Sequence, residues 1–407
     1  MAESRYIPGR SYKFELSIKG NEINANDITR VQIISSITVP YQVLILDIFI
    51  DQNDIILDEI FGQDPCKLKV TLLEQTGIPA DMLEFDLMIT NIDHPMDTRS
   101  QLSDGVQKDR TPLQLTTIVR PAFATMTALV NKVHEDAKSP KEIIEELIGE
   151  AGGTPKYDTD KENKEKAVQS IVPPTTLYKA IQYIDYNFGL YDGVPVYFCD
   201  YENNVHVANI SARIDKAQVF TISQLASDMD ATKIIEKTTD GKHFYTYSPI
   251  ESRWQGNVRS AIIAKTLKHI VKPKDTLSHT VEHDFDSIVS DNGLVFKNKK
   301  VDIDEKISSR KKYYIAHSGF EYSESFAKSM IAKKISNLST IIINIEKNLP
   351  VLSLIDIGQP VKFDPKTEEY IPLSGKYILK SSHITFNRQA EWQATASIQL
   401  IRTNKKI

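Results

Sequence analysis

From Ser11 to Ile18 apolar and polar residues alternate, with Tyr12, Phe14, Leu16 and Ile18 on one side of an extended chain. That two-residue period is the signature of a strand with one buried face. Gly20-Asn21 supplies a hairpin turn, since both residues tolerate the backbone such turns require. The β-branched runs Val31–Thr38 and Tyr41–Asp51 continue the pattern, parted at Val39-Pro40, where proline breaks strand pairing. Leu68, Val70 and Leu72 mark a further strand after Gly62-Gln63-Asp64-Pro65; Leu83, Phe85, Leu87 and Ile89 mark another after Gly77-Ile78-Pro79; Leu113 and Leu115 open one that reaches Val119. Closely spaced strands with little helix predict a small antiparallel barrel or sandwich over 1–119.

At Pro121 the period changes. Phe123, Met126, Leu129, Val130 and Val133 follow helical spacing. Ser139-Pro140-Lys141-Glu142 is a capping box with proline at the first helical position, opening a second helix that ends at Gly152-Gly153. Tyr157–Lys166 is polar, charge-balanced and without an apolar face, which predicts an exposed linker. Pro173-Pro174-Thr175 then starts a helix with Leu177, Ile181, Ile184 and Phe188 on its buried stripe, stopped at Gly189. Val194–Asp200 and Val205–Ile210 flank the turn-rich Tyr201–Asn204 and predict a hairpin packed on that helix. Residues 120–210 are therefore expected to form a helical insertion carrying a β-hairpin.

The remainder returns to strands. Phe244–Tyr247, Ala261–Leu267 and Tyr313–Ala316 are short candidates, interrupted by the basic, turn-rich stretch Lys268–Lys312. One helix is predicted over Tyr322–Leu338, followed by strands at Ile341–Ile345, Pro360–Phe363, Gly375–Phe386 and Glu391–Arg402. In the last, Trp392, Ala394, Ala396, Ile398 and Leu400 alternate with polar residues, giving one buried face.

The two β regions share a faint self-similarity. Ile60-Phe61-Gly62-Gln63-Asp64-Pro65 and Ile357-Gly358-Gln359-Pro360 each precede one short strand, a loop, a long strand (Leu83–Asn91; Gly375–Phe386) and a final strand (Leu113–Val119; Glu391–Arg402). Common turn chemistry in two unrelated barrels accounts for this as well as repetition of one module does. With the run Val172–Ile184, which leads into Val194–Asp200, and with Tyr313–Ser318 and Leu354–Phe363, this layout resembles the central baseplate hub proteins of contractile bacteriophage tails, relatives of the hub part of type VI secretion spikes. The charged segment Tyr157–Lys166 and the stretch Lys268–Lys312 have no counterpart in that pattern.

The resemblance implies a mainly β chain with α insertions: two tail-tube-like antiparallel modules, at 1–119 (completed by part of 211–262) and at 263–407, and the helical insertion between them. It implies a homotrimer, a pseudo-hexameric ring that adapts a hexameric tail tube to a trimeric central spike. The tail tube protein ring and the spike would be its partners, with baseplate wedge and tape-measure proteins as further ones. DNA would pass through the lumen without specific binding. The place implied is the virion tail baseplate, assembled in the host cytoplasm.

Composition bounds these expectations. A chain of 407 residues, 41% hydrophobic and 25% charged, is of globular type and long enough for two to four domains at ~100–200 residues each. Residues 1–120 hold 18 acidic against 11 basic side chains, a surface that repels phosphate. No apolar run approaches the ~20 residues of a bilayer span, and the first residues lack the apolar core of a secretory signal; no membrane insertion is expected. Two cysteines, Cys66 and Cys199, are too few for a disulfide framework or a thiolate zinc site.

Catalytic chemistry finds one short motif. His279-Thr280-Val281-Glu282-His283 fits the H-x-x-E-H pattern of zinc peptidases, in which a helix presents two histidines to the metal and the glutamate activates water. Its flanks carry no apolar helical stripe, so a surface loop is expected there. The alternative function it suggests is a tail-associated zinc peptidase or cell-wall hydrolase. No nucleophile elbow, dinucleotide-binding or phosphate-binding glycine motif occurs. No residue is therefore assigned a catalytic, cofactor-binding or metal-ligating role, no cofactor is expected, and the chain is read as non-enzymatic. The basic clusters Lys297/Lys299/Lys300 and Arg310/Lys311/Lys312 are interleaved with Asp302, Asp304 and Glu305, which favours a solvated face or an acidic protein partner over nucleic acid. Trp254 and Trp392 read as core or interface anchors, and Tyr183, Tyr186, Phe188 and Tyr191 as packing residues of the insertion.

Overall fold

A computed structural model describes residues 11–51, 65–73, 79–93, 110–164, 170–224, 243–246, 250–253, 269–274, 277–282, 313–315, 329, 340–345, 351–366, 368–388 and 391–402. It is mainly β with short helices. The first region contains β1 (Ser11–Ile18), β2 (Asn21–Ile23), β3 (Ile28–Ser36), β4 (Val43–Asp51), β5 (Cys66–Leu73), β6 (Pro79–Asp93) and β7 (Arg110–Val119). Next come α1 (Arg120–Thr127), β8 (Leu129–His134), α2 (Pro140–Glu150), β9 (Thr154–Tyr157), β10 (Ser170–Thr176), α3 (Leu177–Phe188), β11 (Pro195–Cys199), β12 (Asn204–Asn209) and α4 (Ile210–Arg213). The last region holds β13 (Phe220–Gln224), β14 (His243–Thr246), β15 (Glu251–Arg253), β16 (His269–Lys274), β17 (Leu277–Glu282), β18 (Tyr313–Ile315), β19 (Thr340–Ile345), β20 (Pro360–Pro365), β21 (Gly375–Arg388) and β22 (Trp392–Arg402).

Fourteen of the described strands belong to one continuous sheet. It contains two sets with the same internal order. In the first set the neighbours run β3-β4-β7-β6-β5-β1; in the second they run β15-β19-β22-β21-β20-β13. Ranked along the chain, the two orders are identical. The first four contacts of each set are antiparallel. The fifth differs: β1 pairs antiparallel with β5, whereas β13 lies parallel to β20.

A bulge fixes the equivalence residue by residue. The long strand of each set shifts register against its final strand once, between Ile89 and Asn91 in β6 and between Leu379 and Ser381 in β21. An extra residue on one strand is a defined feature of a ladder, so Thr90 and Lys380 correspond. Following the pairings outward from this point, Leu44, Leu46 and Ile48 of β4 fall on Ile341, Ile343 and Ile345 of β19. Cys66 and Leu68 fall on Val361 and Phe363, and Leu113 and Leu115 on Ala396 and Ile398. All fourteen of these side chains are buried. The same offset places Pro65 on Pro360, so the prolines that end the two sequence motifs occupy one position in the repeat.

The alternation read from sequence carries this core. Leu83, Phe85, Leu87 and Ile89 are buried while Glu84 is exposed and Asp86 half-buried; on β22, Ala394, Ala396, Ile398 and Leu400 are buried and the intervening residues half-buried. The sheet curls over itself. Tyr12 and Phe14 of β1 meet Phe386 of β21 edge to face at 4.9 and 5.2 Å, and Phe14 also touches Trp392 at 4.3 Å. Aromatic pairs at such distances add about 0.5–1.5 kcal/mol beyond the area they bury.

Several expectations are corrected. The stretch from Phe123 to Val133 is not one helix: α1 ends at Thr127, and Leu129, Val130 and Val133 lie in β8, paired with β10. Strand pairing there overrides a helical spacing that short apolar runs mimic. Pro173 and Pro174 do not open a helix but sit in β10 at a register shift, where the missing N–H costs no ladder bond. Tyr157–Lys166 is not a bare linker over its described part: Tyr157 ends β9, Asn163 is buried, and Glu162 bridges to Tyr191. Among the described residues of 211–262, β13 pairs with β20 and β15 with β19, both strands of the second set. Lys268–Lys312 includes β16 and β17, an antiparallel pair that β18 extends. Ala261–Leu267 lies outside the described residues, and of Tyr322–Leu338 only Ser329, in a helical turn, lies within them.

Other local readings hold. The capping box is present, the Ser139 hydroxyl accepting from the Glu142 N–H at 3.3 Å and the Glu142 carboxylate from the Ser139 N–H at 2.7 Å. Gly189 stops α3 at φ 68°, a conformation that costs a residue with a Cβ. β11 and β12 form the expected hairpin. No helix among the described residues is long and apolar enough to cross a membrane.

Candidate assembly surfaces

The two strand sets meet at one seam. β3 of the first set pairs antiparallel with β21 of the second from Arg30 to Ser36 against Ser381 to Asn387, and the Ile37 N–H continues the ladder onto the Lys380 carbonyl at 3.0 Å. Ile33 and Ile384 stand opposite each other and are buried. The seam therefore joins the first strand of one set to the long strand of the other.

The insertion is clamped to both sets. Arg213, at the end of α4, donates from Nε and Nη2 to the two carboxylate oxygens of Asp158 at 2.7 and 3.1 Å. It donates from Nη1 to the Gly358 carbonyl at 3.2 Å. Gly358 holds φ at +75°, and an added Cβ would stand 3.1 Å from the same guanidinium. The Gly-Gln-Pro turn seen in the sequence is thus a docking point. Burial works against ionisation of Asp158, but the Arg213 and Lys216 cations and the Asn209 N–H outweigh it and hold its carboxyl below the usual carboxylate range. On the other side Tyr201 of the β11–β12 turn packs on Phe85 of β6 at 5.5 Å.

A second, half-buried polar group lies beside that hairpin. Asp200 accepts from the Asn204 N–H at 2.8 Å, from Asn204 Nδ2 at 2.9 Å and from the Glu202 N–H at 3.0 Å, and shares a 2.9 Å hydrogen bond with His206 Nε2. These partners outweigh desolvation and depress its pKa. Such a network fixes the turn.

An apolar ribbon faces outward. β8 and β10 form a two-stranded sheet in which Val133 stands opposite Ile171 and Leu129 opposite Thr176. Leu129, Val133 and Ile171 are 84%, 63% and 64% exposed, while Val130 and Val172 turn inward.

Residues considered for chemistry are dispersed. His279 and Glu282 lie on β17, an extended backbone rather than the helix that H-x-x-E-H needs or the loop expected from its flanks; His283 lies outside the described residues. Among the described residues no group of three His, Cys, Asp or Glu side chains could hold a metal ion. Cys66 and Cys199 are buried, and burial pushes the Cys66 thiol up to about 12 and the Cys199 thiol up as well, which makes both inert as nucleophiles. The lysine and arginine clusters at 297–300 and 310–312, and Trp254, lie outside the described residues. Of the insertion aromatics, Phe188 and Tyr191 are in the core, the Tyr191 hydroxyl donating to the Val207 carbonyl at 2.6 Å; Tyr183 packs beside them and Tyr186 is 60% exposed. Sequence reasoning missed Arg213, Asp158 and the outward ribbon, whose signal was an isolated charge pair 55 residues apart and a helical spacing that concealed a strand.

No protein-family model matches the chain, and no curated protein matches it by sequence. Structural comparison does find likenesses. The tail protein from Neisseria meningitidis MC58 superposes with a TM-score of 0.52 at 12% identity, covering 96% of this chain and 97% of that one. The 43 kDa tail protein of prophage MuSo2 from Shewanella oneidensis gives 0.52 at 10% identity, covering 96% and 98%. The fold is that of phage tail proteins. It extends to the Francisella PdpA-VgrG complex, where the TM-score is 0.52 at 11% identity and this chain, covered completely, spans 55% of the length of its counterpart.

Proposed function

We propose that this protein is a structural component of a phage tail: a baseplate hub in which three copies form a ring, each contributing two tube-like strand sets. The single observation that carries this reading is the repetition of one strand order, in one residue register, twice along a chain with the tail-protein fold. A protomer with two equivalent sets presents six similar surfaces in a trimer, which suits a junction between a sixfold tube and a threefold spike. The first module is taken as 1–119 and the insertion as 120–210; the strands after α4 belong to the second. The tail tube ring and the central spike are the partners, wedge and tape-measure proteins meet the periphery, and DNA passes through a lumen that the acidic balance of residues 1–120 keeps from binding phosphate. The role is non-enzymatic, exercised in the virion after assembly in the host cytoplasm.

Native mass measurement on the purified chain, with imaging along the particle axis, tests the proposal. A trimer with six similar lobes is expected; a stable dimer or tetramer without threefold symmetry overturns it.

A further inference from the structure

A buried histidine lies beneath the outward ribbon. His134 ends β8 with its side chain 1% exposed, and it stands opposite Ser170, the first residue of β10. The ring Nε2 and the Ser170 hydroxyl oxygen are both buried and have no hydrogen-bond partner among the described residues. The other ring nitrogen, Nδ1, lies 3.6 Å from Glu146 Oε2 of α2, too far for a good hydrogen bond but close enough for an ion pair. That carboxylate is already engaged: Lys132 donates to its Oε1, and Lys138 to its Oε2 at 2.5 Å.

The charges around the ring come from several elements. Its own strand offers Lys132, α2 offers Glu146 and Glu150, and the turn before α2 offers Lys138. β10 carries no ionisable side chain. The buried charge of α3, Asp185, takes the Tyr197 hydroxyl at 2.5 Å. Carboxylates and ammonium groups oppose one another here, and burial outweighs them, holding the imidazole below its ordinary pKa. A neutral ring fits this site. A charged one would find only the Ser170 hydroxyl and a carboxylate shared by two lysines, in surroundings where an uncompensated charge is costly.

We infer that His134 is an acid-sensitive latch, whose uptake of a proton from solvent releases the β8–β10 ribbon from α2 and uncovers the inward side chains Val130 and Val172. Leu129, Val133 and Ile171 already face outward, so the released ribbon is apolar on both faces. An imidazole whose folded pKa lies below the ordinary ~6.5 stabilises the closed form above that value and loses this contribution as pH falls towards the folded one. With one proton taken up on opening, the opening constant rises by at most about tenfold per pH unit. Glu146, whose carboxyl is held down to about 2, loses its own contribution at lower pH, so the two windows are distinct.

Amide hydrogen exchange on the full chain, corrected for the intrinsic rate at each pH, reads the release. Between about pH 7 and pH 5 the amides of β8 and β10 should lose protection, by up to about tenfold per pH unit below ~6.5, while those of β1 and β5 keep theirs. His134→Gln cannot take up the proton and should hold the ribbon's protection constant over the same range. Constant protection in the wild type, or the same loss in His134→Gln, overturns the latch. The wild-type ring gives a check that needs no variant: its Cε1 proton resonance should titrate with a midpoint below ~6.5, and a midpoint at or above that value overturns the latch as well. Ser170→Asp sets a charged acceptor opposite Nε2 and should raise the midpoint and abolish the loss of protection; an unmoved midpoint with the loss retained counts against the inference.

Discussion

The two strand sets solve one packing problem with different side chains. In the first, Leu68 of β5 faces Phe85 of β6, followed by Leu87; at the same places the second has Phe363 facing Gly375, followed by Tyr377. The aromatic bulk has moved from the long strand to the short one and to the next inward position, where Phe363 and Tyr377 meet edge to face at 6.0 Å. Total volume, rather than residue identity, is what a well-packed core conserves. The reason for the asymmetry lies outside the sheet. Phe85 is the residue on which Tyr201 of the insertion rests. Gly375 instead follows the turn Glu368–Leu373, and the Tyr377 hydroxyl donates to the Leu373 carbonyl at 2.5 Å. At this position the same strand order meets the insertion on one set and the turn Glu368–Leu373 on the other.

The comparison can be broken most severely at Phe85. Phe85→Ala should cost about 3–5 kcal/mol, read as a fall in the urea midpoint, because it empties a fully buried site. Adding Leu68→Phe, which copies the arrangement of the second set, should recover about 0.5–3 kcal/mol of that loss; a strictly additive pair would show that the two sets do not share a packing scheme. Next in size is the clamp. Asp158→Asn leaves the Arg213 guanidinium, 10% exposed, without its counter-charge and should cost about 3 kcal/mol by the same measurement.

A smaller effect distinguishes the insertion by pH. Glu146 accepts from Lys132 and from Lys138, whose hydrogen bonds hold its carboxyl down to about 2. A carboxyl depressed in the folded state stabilises it above the ordinary value and loses that contribution as pH falls through the folded pKa. Acid unfolding of the wild type between about pH 4.5 and 2 should therefore be steeper than that of Glu146→Gln. The difference should stay under about 1 kcal/mol at neutral pH, since these ion pairs are partly solvated. The smallest change is expected at Glu84→Ala, whose side chain turns away from the core; thermal unfolding should shift by less than about 1 kcal/mol equivalent.

The sequence by itself determined which faces of the strands are buried, because a two-residue period with one apolar face admits only one orientation against a core. Tyr12 through Ile18, Leu83 through Ile89 and Ala394 through Leu400 could all be assigned this way. It also determined the capping box at Ser139 and the stop at Gly189, where the chemistry is local. The tertiary structure decided what depends on distant partners. The spacing at Leu129, Val130 and Val133 suits a helix until β10 arrives to pair with it, and the charges from Asp158 to Glu162 look solvated until Arg213 and Tyr191 are brought beside them. The repeat was faint in sequence for the same reason. Its equivalence resides in strand order and in two bulges that shift the ladder at matching places, while the side chains on either side of them exchange volume across strands and keep few common letters.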